Sequence, residues 1–387
     1  MKTIVALGAG LAAMPLIRQT MRNVVLPSDS YKLVVVAPNT HMLFPLAMPR
    51  VLVPGAMSED KVLLPVSSQF SEYPSDKFQF LQGTAESLTP ESNQLSVKSV
   101  DGNMTELSYD YLIIATGSSS RDNTPWKTLG TTEKTKERLF EIRNEVEQAK
   151  TIVIAGGGAT GTETAGEFGF EYAQSGKKAV YFVYNDELPL VADMIPKVRR
   201  QAKLELERQK VKLIPNSKVT KVTTASGKET VLEITDKSGK TNELKAGAYI
   251  SATGVIPNAS FAPASMLDAG GFIKQTTTLQ AEGHDNIFVA GDVGSLEISK
   301  AMVAAAQTDH LVKYLPGHIL GGEAIATYTP DTKNVYAITL GRSKATGQMN
   351  GWKLPGFIVS RVKRNFFSEQ APDMAKGKKT SSTTFEK

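Results

Sequence analysis

One short phrase occurs twice in this chain of 387 residues. Thr3 to Ala13 reads TIVALGAGLAA, and Thr151 to Gly161 reads TIVIAGGGATG. Each copy sets a β-branched apolar run (Ile4-Val5, or Ile152-Val153-Ile154) ahead of closely spaced glycines and a helix-compatible stretch. That order predicts a strand, a tight turn and a helix. In such a unit the first glycine turns the chain, and the second lets backbone approach a pyrophosphate. The third seats the helix close to the strand, with phosphate resting on the helix N-terminus. The second copy has glycine at all three places, Gly156, Gly158 and Gly161; the first has Gly8, Gly10 and Ala13. Downstream, copy one leads through a helical stretch to YKLVVVAPN, and copy two through TETAGEFGFEYAQSG to KAVYFVYND. Both are complete βαβ units, so two nucleotide sites in one chain is the favoured reading over two ligand-free glycine turns.

The tips of the second strands depart from the usual rule. Asp or Glu is expected there for the ribose hydroxyls. Copy one offers Asn39, and copy two offers Tyr184-Asn185, with Asp186 only afterwards. An amide bonds a ribose more weakly than a carboxylate does. No arginine at the second tip greets a 2′-phosphate, which leaves NADH and NADPH both open.

Composition removes several chemistries. There is no cysteine, which excludes disulfides, thiolate catalysis and cysteine-ligated metals. The four histidines, His41, His284, His310 and His318, show no metal-ligand spacing, so no metal site is expected. No apolar run approaches the roughly 18 residues of a membrane span, and the first strand at Lys2 leaves no room for a leader peptide, pointing to a cytoplasmic protein. Charge is unevenly placed: after Gly341 there are ten Lys and Arg against three acids, so this segment alone exceeds the chain's net +5. A basic tail suits an acidic membrane surface or nucleic acid; a solvated, disordered tail is the plain alternative for 370–387.

Three further stretches complete an ordered set. YDYLIIATGSSS (109–120) and AYISATGVIPNASF (248–261) are apolar strands ending in Ala-Thr-Gly, and DNIFVAGDVGS (285–295) ends in Gly291-Asp292. With the two glycine phrases this resembles the two-dinucleotide-binding flavoprotein disulfide reductase-like superfamily. Its cysteine-free members include ferredoxin reductases, type II NADH dehydrogenases and apoptosis-inducing factors. The loop PNTHMLFPLAMPRVL (38–52), the strand FQFLQGTAESL (78–88), the helix GTETAGEF and the segment ITLGRSKATGQMNGWKLPGFIVSRVKRNFF resemble the apoptosis-inducing factor 2 branch, also called the ferroptosis suppressor group.

That resemblance implies an α/β fold with two Rossmann-like domains, an FAD-binding one and an NAD(P)-binding one, plus a small C-terminal domain. The FAD-binding domain is placed at 1–118 and 257–325, the NAD(P)H-binding domain at 119–256, and the C-terminal domain, ending in a loose tail, at 326–387. It implies FAD contacts at Gly8, Gly10, Leu11, Ala12, Ala13, Asn39, Arg50, Ala85, Thr116, Gly117, Asp292, Lys300 and Ala301. NAD(P)H contacts are implied at Gly156, Gly158, Gly161 and Gly254. Asp292 matches the aspartate that binds the flavin ribityl chain; capping the helix near Ser299 is its bland alternative. Lys300 falls at a helix N-terminus that steadies charge on a reduced flavin. Glu163 and Lys363 match the active-site pair, with Lys363 stabilising oxyanion charge on a quinone acceptor and Glu163 positioning the nicotinamide or relaying a proton. Glu163 could otherwise be a solvated residue near the helix start.

In the C-terminal segment Ile358, Val362 and Phe366 are spaced to share one helical face among Arg361, Lys363 and Arg364. The basic, aromatic stripe suits peripheral contact with anionic lipid; a helix packed on the core is the alternative. The expected activity is hydride transfer from NAD(P)H to flavin, then two electrons to a quinone. A reductase of another acceptor, such as a ferredoxin-like protein, is one alternative. An NADH-sensing protein that docks a protein partner or, less favoured, nucleic acid is the other.

Overall fold

The computed structural model describes residues 1–224, 229–330 and 334–386. Lys387, the last residue of the basic segment, lies outside them. The two glycine phrases each open the central strand of a separate parallel sheet. In the first, Lys2–Leu7 lies between Tyr31–Ala37 and Tyr111–Ile114, with Ile287–Val289 beyond. The long strand Phe78–Thr89 runs parallel to Tyr31–Ala37 over its first half, then turns antiparallel to Gln94–Ser99, which in turn pairs with Met104–Ser108. In the second sheet Thr151–Ala155 lies between Ala179–Val183 and Ala248–Ser251, with Lys212–Ile214 at the edge. Beside it, Ser217–Thr224, Thr230–Asp236 and Thr241–Ala246 form an antiparallel sheet. The turns at DGN (101–103) and KSGK (237–240) close hairpins in the two antiparallel additions.

Both central strands are buried on both faces, which explains why they read as continuous apolar runs rather than alternating ones. Helix Ala13–Thr20 follows the first, and helix Ala159–Phe168 follows the second. The two ATG stretches meet: Ser118–Ser120 pairs antiparallel with Val255–Pro257, and this short ribbon joins the two sheets. The fold is thus α/β with two Rossmann-like units.

The C-terminal segment is a hairpin, Tyr336–Leu340 with Lys344–Met349 and Trp352–Lys353, followed by helix Gly356–Val362. Its first strand lies directly on the second glycine helix. A Cβ at Gly166 would stand 2.8 Å from Leu340 Cα, so only glycine permits this approach.

Two expectations about this segment are overturned. The helix stops at Val362, because Asn365, Phe366 and Phe367 take left-handed backbone with φ of 52°, 56° and 62°. Phe366 therefore leaves the face of Ile358 and Val362 and is fully buried, with the Arg50 guanidinium carbon 4.9 Å from its ring centre. Lys363 is buried too. The outward apolar side chains are instead Trp352, Phe357, Ile358 and Val362, at 80%, 74%, 43% and 61% exposure.

Nor are residues 371–386 a loose tail. Met374 and Ala375 are buried, and Gly377 packs so tightly on helix Ala13–Thr20 that a Cβ would lie 2.4 Å from Met14 O. Glu386 is bonded to Arg18, and Thr380 to Asp309. A run with three lysines reads as solvated in sequence, but its small residues let its backbone lie flat on two helices.

Candidate functional site

The two glycine turns repeat one geometry. At Gly8 φ is +107° and a Cβ would lie 2.4 Å from Ala115 O; at Gly156 the values are +117° and 2.1 Å from Ala252 O. Each first glycine is thus held against the strand that ends in Ala-Thr-Gly. The second glycines, Gly10 and Gly158, face open space, with nothing within 4 Å of the place a Cβ would take. Backbone there is free to receive a phosphate. The third position differs: a Cβ at Gly161 would strike Gly156 O at 1.9 Å, whereas Ala13 is accommodated, buried, in the first turn.

Around the first turn stand most of the residues assigned to FAD. Asn39 follows the second strand, buried, and its Oδ1 is without a hydrogen-bond partner. A buried amide oxygen without a donor is costly, and a ribose hydroxyl is a donor of the right kind. Leu11 and Ala301 line one cleft between the first turn and helix Ala301–Gly321, with Ala12 buried behind them. At Gly291 a Cβ would lie 3.2 Å from that of Ala12. Ala85 sits at a bulge of the long strand, where its backbone register shifts. Lys300 caps helix Ala301–Gly321 by position only, its ammonium lying 4.3 Å from the Tyr336 ring centre.

Asp292 does not cap that helix. Its Oδ2 accepts hydrogen bonds from Lys127 Nζ at 2.7 Å and Ser118 Oγ at 2.8 Å. Burial alone would raise its carboxyl pKa, but Lys127 and Ser118 outweigh it and hold the group below the ordinary carboxylate value. Lys127 belongs to the crossing segment between the sheets, and neither motif nor spacing singles it out. The crossing itself is fastened through Thr116 and Gly117: Thr116 Oγ1 donates to Asn258 O, and Asn258 N–H donates to Gly117 O. Opposite them Gly254, at φ +117°, accepts from Arg121 N–H.

Asp186, the late acid at the second tip, is already engaged. It receives Arg199 Nη2 at 2.8 Å, with Lys237 3.8 Å away, and the Arg199 bond holds its pKa low.

Glu163 and Lys363, 200 residues apart in sequence, are brought together. Lys363 Nζ donates to Glu163 Oε1 at 2.7 Å and to Ala337 O at 2.9 Å. The same carboxylate oxygen accepts from Thr339 N–H at 2.8 Å and Thr339 Oγ1 at 3.0 Å. Both side chains are buried, so Glu163 is not a solvated helix-start residue. One turn along the same helix, fully buried Glu167 accepts from Arg50 Nε (3.0 Å) and Nη2 (2.8 Å), with Arg342 Nε at 3.1 Å. Arg50, assigned to the flavin, thus spends its guanidinium on a carboxylate of the second helix and on Asn365 Oδ1. Glu167 and Arg342 were missed by sequence reasoning. The signal was present as the i, i+4 pair of acids in GTETAGEF, on one helical face.

Among the described residues no cluster of His, Asp or Glu could hold a metal ion, and no helix is long and apolar enough to cross a membrane.

Residues 2–308 match the family described as pyridine nucleotide-disulphide oxidoreductase. Over 380 residues the chain is 34% identical to oxidoreductase ptaL of Pestalotiopsis fici, covering 97% of this chain and 99% of that one. It is 26% identical to ferroptosis suppressor protein 1 of Taeniopygia guttata, over 73% of this chain and 75% of the other. Among solved structures it superposes on the sulfide:quinone oxidoreductase of Aquifex aeolicus with a TM-score of 0.76, at 16% identity, over 97% of this chain and 92% of that one.

Proposed function

The chain belongs to the pyridine nucleotide-disulphide oxidoreductase family, and from that premise we propose that it is an FAD-dependent NAD(P)H:quinone oxidoreductase. As an NAD(P)H-dependent flavoprotein oxidoreductase it carries FAD on the first glycine turn and NAD(P)H on the second. When bound, FAD accepts hydride from NAD(P)H and passes two electrons to an acceptor. The residues present fit both nucleotides. The open backbone at Gly10 and Gly158 is shaped for phosphate, and the partnerless Asn39 Oδ1 for a ribose hydroxyl. Asp292, kept ionised by Lys127, is an acceptor for the hydroxyls of the ribityl chain. Helix Ala301–Gly321 presents its positive end to the same cleft and steadies negative charge there.

The observation that carries the quinone reading is the buried Glu163–Lys363 pair. Without cysteine the chain offers no dithiol to accept electrons. A lysine sheltered from water, with three donatable protons and two of them engaged, can present the third to an oxygen that is becoming an oxyanion. Glu163 holds that ammonium in place. The exposed Trp352, Phe357, Ile358 and Val362, close in sequence to Lys353, Arg361 and Arg364, form a face suited to an apolar acceptor arriving from an anionic membrane surface. We assign the flavin unit to 1–118 and 257–325, the nicotinamide unit to 119–256, and the acceptor face to 326–387.

Steady-state oxidation of NADH and of NADPH, with short-chain ubiquinone analogues and with oxygen alone, tests the reading. Quinone-dependent turnover well above the oxygen rate is expected. A protein that reduces its flavin quickly yet never passes electrons to quinone would place the acceptor elsewhere. For the sensor alternative, slow re-oxidation with a long-lived charge-transfer complex would be the expected result instead.

A further inference from the structure

The cleft lined by Leu11, Leu46, Ala301 and Ala305 is closed on its remaining side by Met374, Thr380 and Ser381. The small cleft beside the first glycine turn is therefore walled in part by the C-terminal strap, 371–386. Two kinds of contact hold the strap. Its start is apolar: Met374 and Ala375 are buried in the main core, and Gly377 rests on Met14 backbone. Its remainder is held by two carboxylate clamps near the surface. Asp309 of helix Ala301–Gly321 accepts from Thr380 Oγ1 at 2.9 Å and from Ser382 Oγ. Glu386 accepts from Arg18 at 2.7 Å and Arg22 at 3.3 Å, and pairs with Lys378 at 3.4 Å.

We propose that residues 377–386 form a latch over the first glycine turn, closed to retain FAD and opened to exchange it. The proposal rests on the assignment of FAD to that turn. The physical basis is the contrast between the two halves of the strap. Met374 and Ala375 are fastened by core packing and act as the hinge. Beyond Gly377 the strap is held mainly by polar bonds: the Thr380 side chain is buried, but Ser382 is exposed and Glu386 half-buried, and partly solvated ion pairs contribute little each. That portion opens locally at far lower free energy than the two helices it covers. Both clamps sit on the helices that bound the cleft: release from Asp309 frees Thr380 and Ser381 from beside Leu11 and Ala301, and the Glu386 clamp holds the end of the same strap.

A reversible lock tests this. Ser382 Oγ bonds the Asp309 carboxylate, so these two positions face each other and are the pair to bridge, with closure verified by loss of both free thiols. Because the chain has no cysteine, the double variant Asp309→Cys/Ser382→Cys would carry one unique pair. FAD release from the full-length holoprotein is followed by the rise of free-flavin fluorescence after dilution, oxidised and then reduced. Release at least about tenfold slower in the oxidised form is expected, with the oxidised apoprotein refusing added FAD. Glu386→Gln, which leaves every core contact intact, should speed release severalfold. Equal release rates in the oxidised and reduced forms would overturn the latch. So would a lock that alters acceptor turnover but leaves FAD exchange unchanged, because the strap would then guard the acceptor mouth. A native protein that never binds FAD would defeat the flavin assignment itself, a separate outcome.

Discussion

The two glycine turns are built alike and finished differently. In each, the first glycine presses on the carbonyl of an alanine in an ATG stretch, and the second leaves backbone bare. The likeness ends at the helix. The first helix carries no acid and is overlaid by the strap; the second carries Glu163 and Glu167, each met by cations from elsewhere in the chain. A common local solution for holding a pyrophosphate thus serves two jobs. On the proposed assignment the first turn stores a nucleotide under a cover, and the second places one beside ionisable groups. The turn decides that a nucleotide binds, and the partners of the helix decide what happens to it.

Separating turn from partners begins with Gly156→Ala, the largest effect. The new methyl group meets backbone at 2.1 Å with φ at +117°, so strain and overpacking together should cost up to about 6 kcal/mol. Urea denaturation should show the nicotinamide unit melting early while the flavin unit holds its colour.

Next comes Lys363→Ala, which leaves Glu163 buried with only the Thr339 donors and should cost about 3–5 kcal/mol. Quinone turnover should fall while single-turnover flavin reduction by NAD(P)H survives in whatever protein folds. If both rates stay at native values, the pair is structural and the second helix loses its assigned role. Cutting the chain after Gly341, by contrast, would not isolate the acceptor face. It removes Arg342, Asn365, Lys363 and the strap together, so loss of stability and of FAD should accompany loss of turnover.

Asp292→Ala probes the first turn. Loss of a charge-assisted bond to the cofactor should weaken FAD retention by roughly 1.5–3 kcal/mol, read by equilibrium dialysis, with the nicotinamide unit's melting unchanged. The depressed pKa also sets a pH signature. Its contribution is complete above the ordinary carboxylate value of about 4 and is withdrawn as pH falls through the lower, folded-state value. Retention should therefore be flat from about pH 5 to 8 and fail only in stronger acid. Lys127→Met should shift that failure to higher pH.

The smallest change in stability belongs to Gly158→Ala, which meets nothing within 4 Å and should alter folding by less than about 0.5 kcal/mol. Its methyl group nonetheless stands where phosphate is received, so the KM for NAD(P)H should rise. Unchanged KM would mean that phosphate does not approach that backbone.

Much of this was legible in the sequence, and the pattern of what was not is instructive. Strands buried on both faces announced themselves as apolar runs, and glycines marked turns because close approach admits nothing else. The pairing of Glu163 with Lys363 came only through resemblance, since no local periodicity links residues 200 positions apart. Arg50 was placed on the flavin, but its partner Glu167 depends on how helix Met48–Val51 meets the second helix. The stripe Ile358–Val362–Phe366 failed for a sharper reason. Three consecutive left-handed residues are unfavourable by about 1–2 kcal/mol each, which no propensity argument anticipates. Burial of Phe366 beneath Arg50 offsets that cost, and it exists only in the folded chain. The docked strap escaped notice for a related cause: its lysine-rich composition hides the small residues that let it lie flat.

The close fit of strand Tyr336–Leu340 on the second helix has a consequence for synthesis. Both nucleotide sheets are complete by Val289, so a nascent chain can fold them while its remaining residues are still being made. Glu163 must wait 200 residues for Lys363, on the order of 10–40 s at ordinary translation rates. During that interval Glu163 lacks its lysine and Gly166 the strand that packs on it, while Arg50, made earlier, is already present for Glu167. A ribosome-bound chain would thus form both sheets first, with the Glu163–Lys363 pair and the strap over the first turn arriving last.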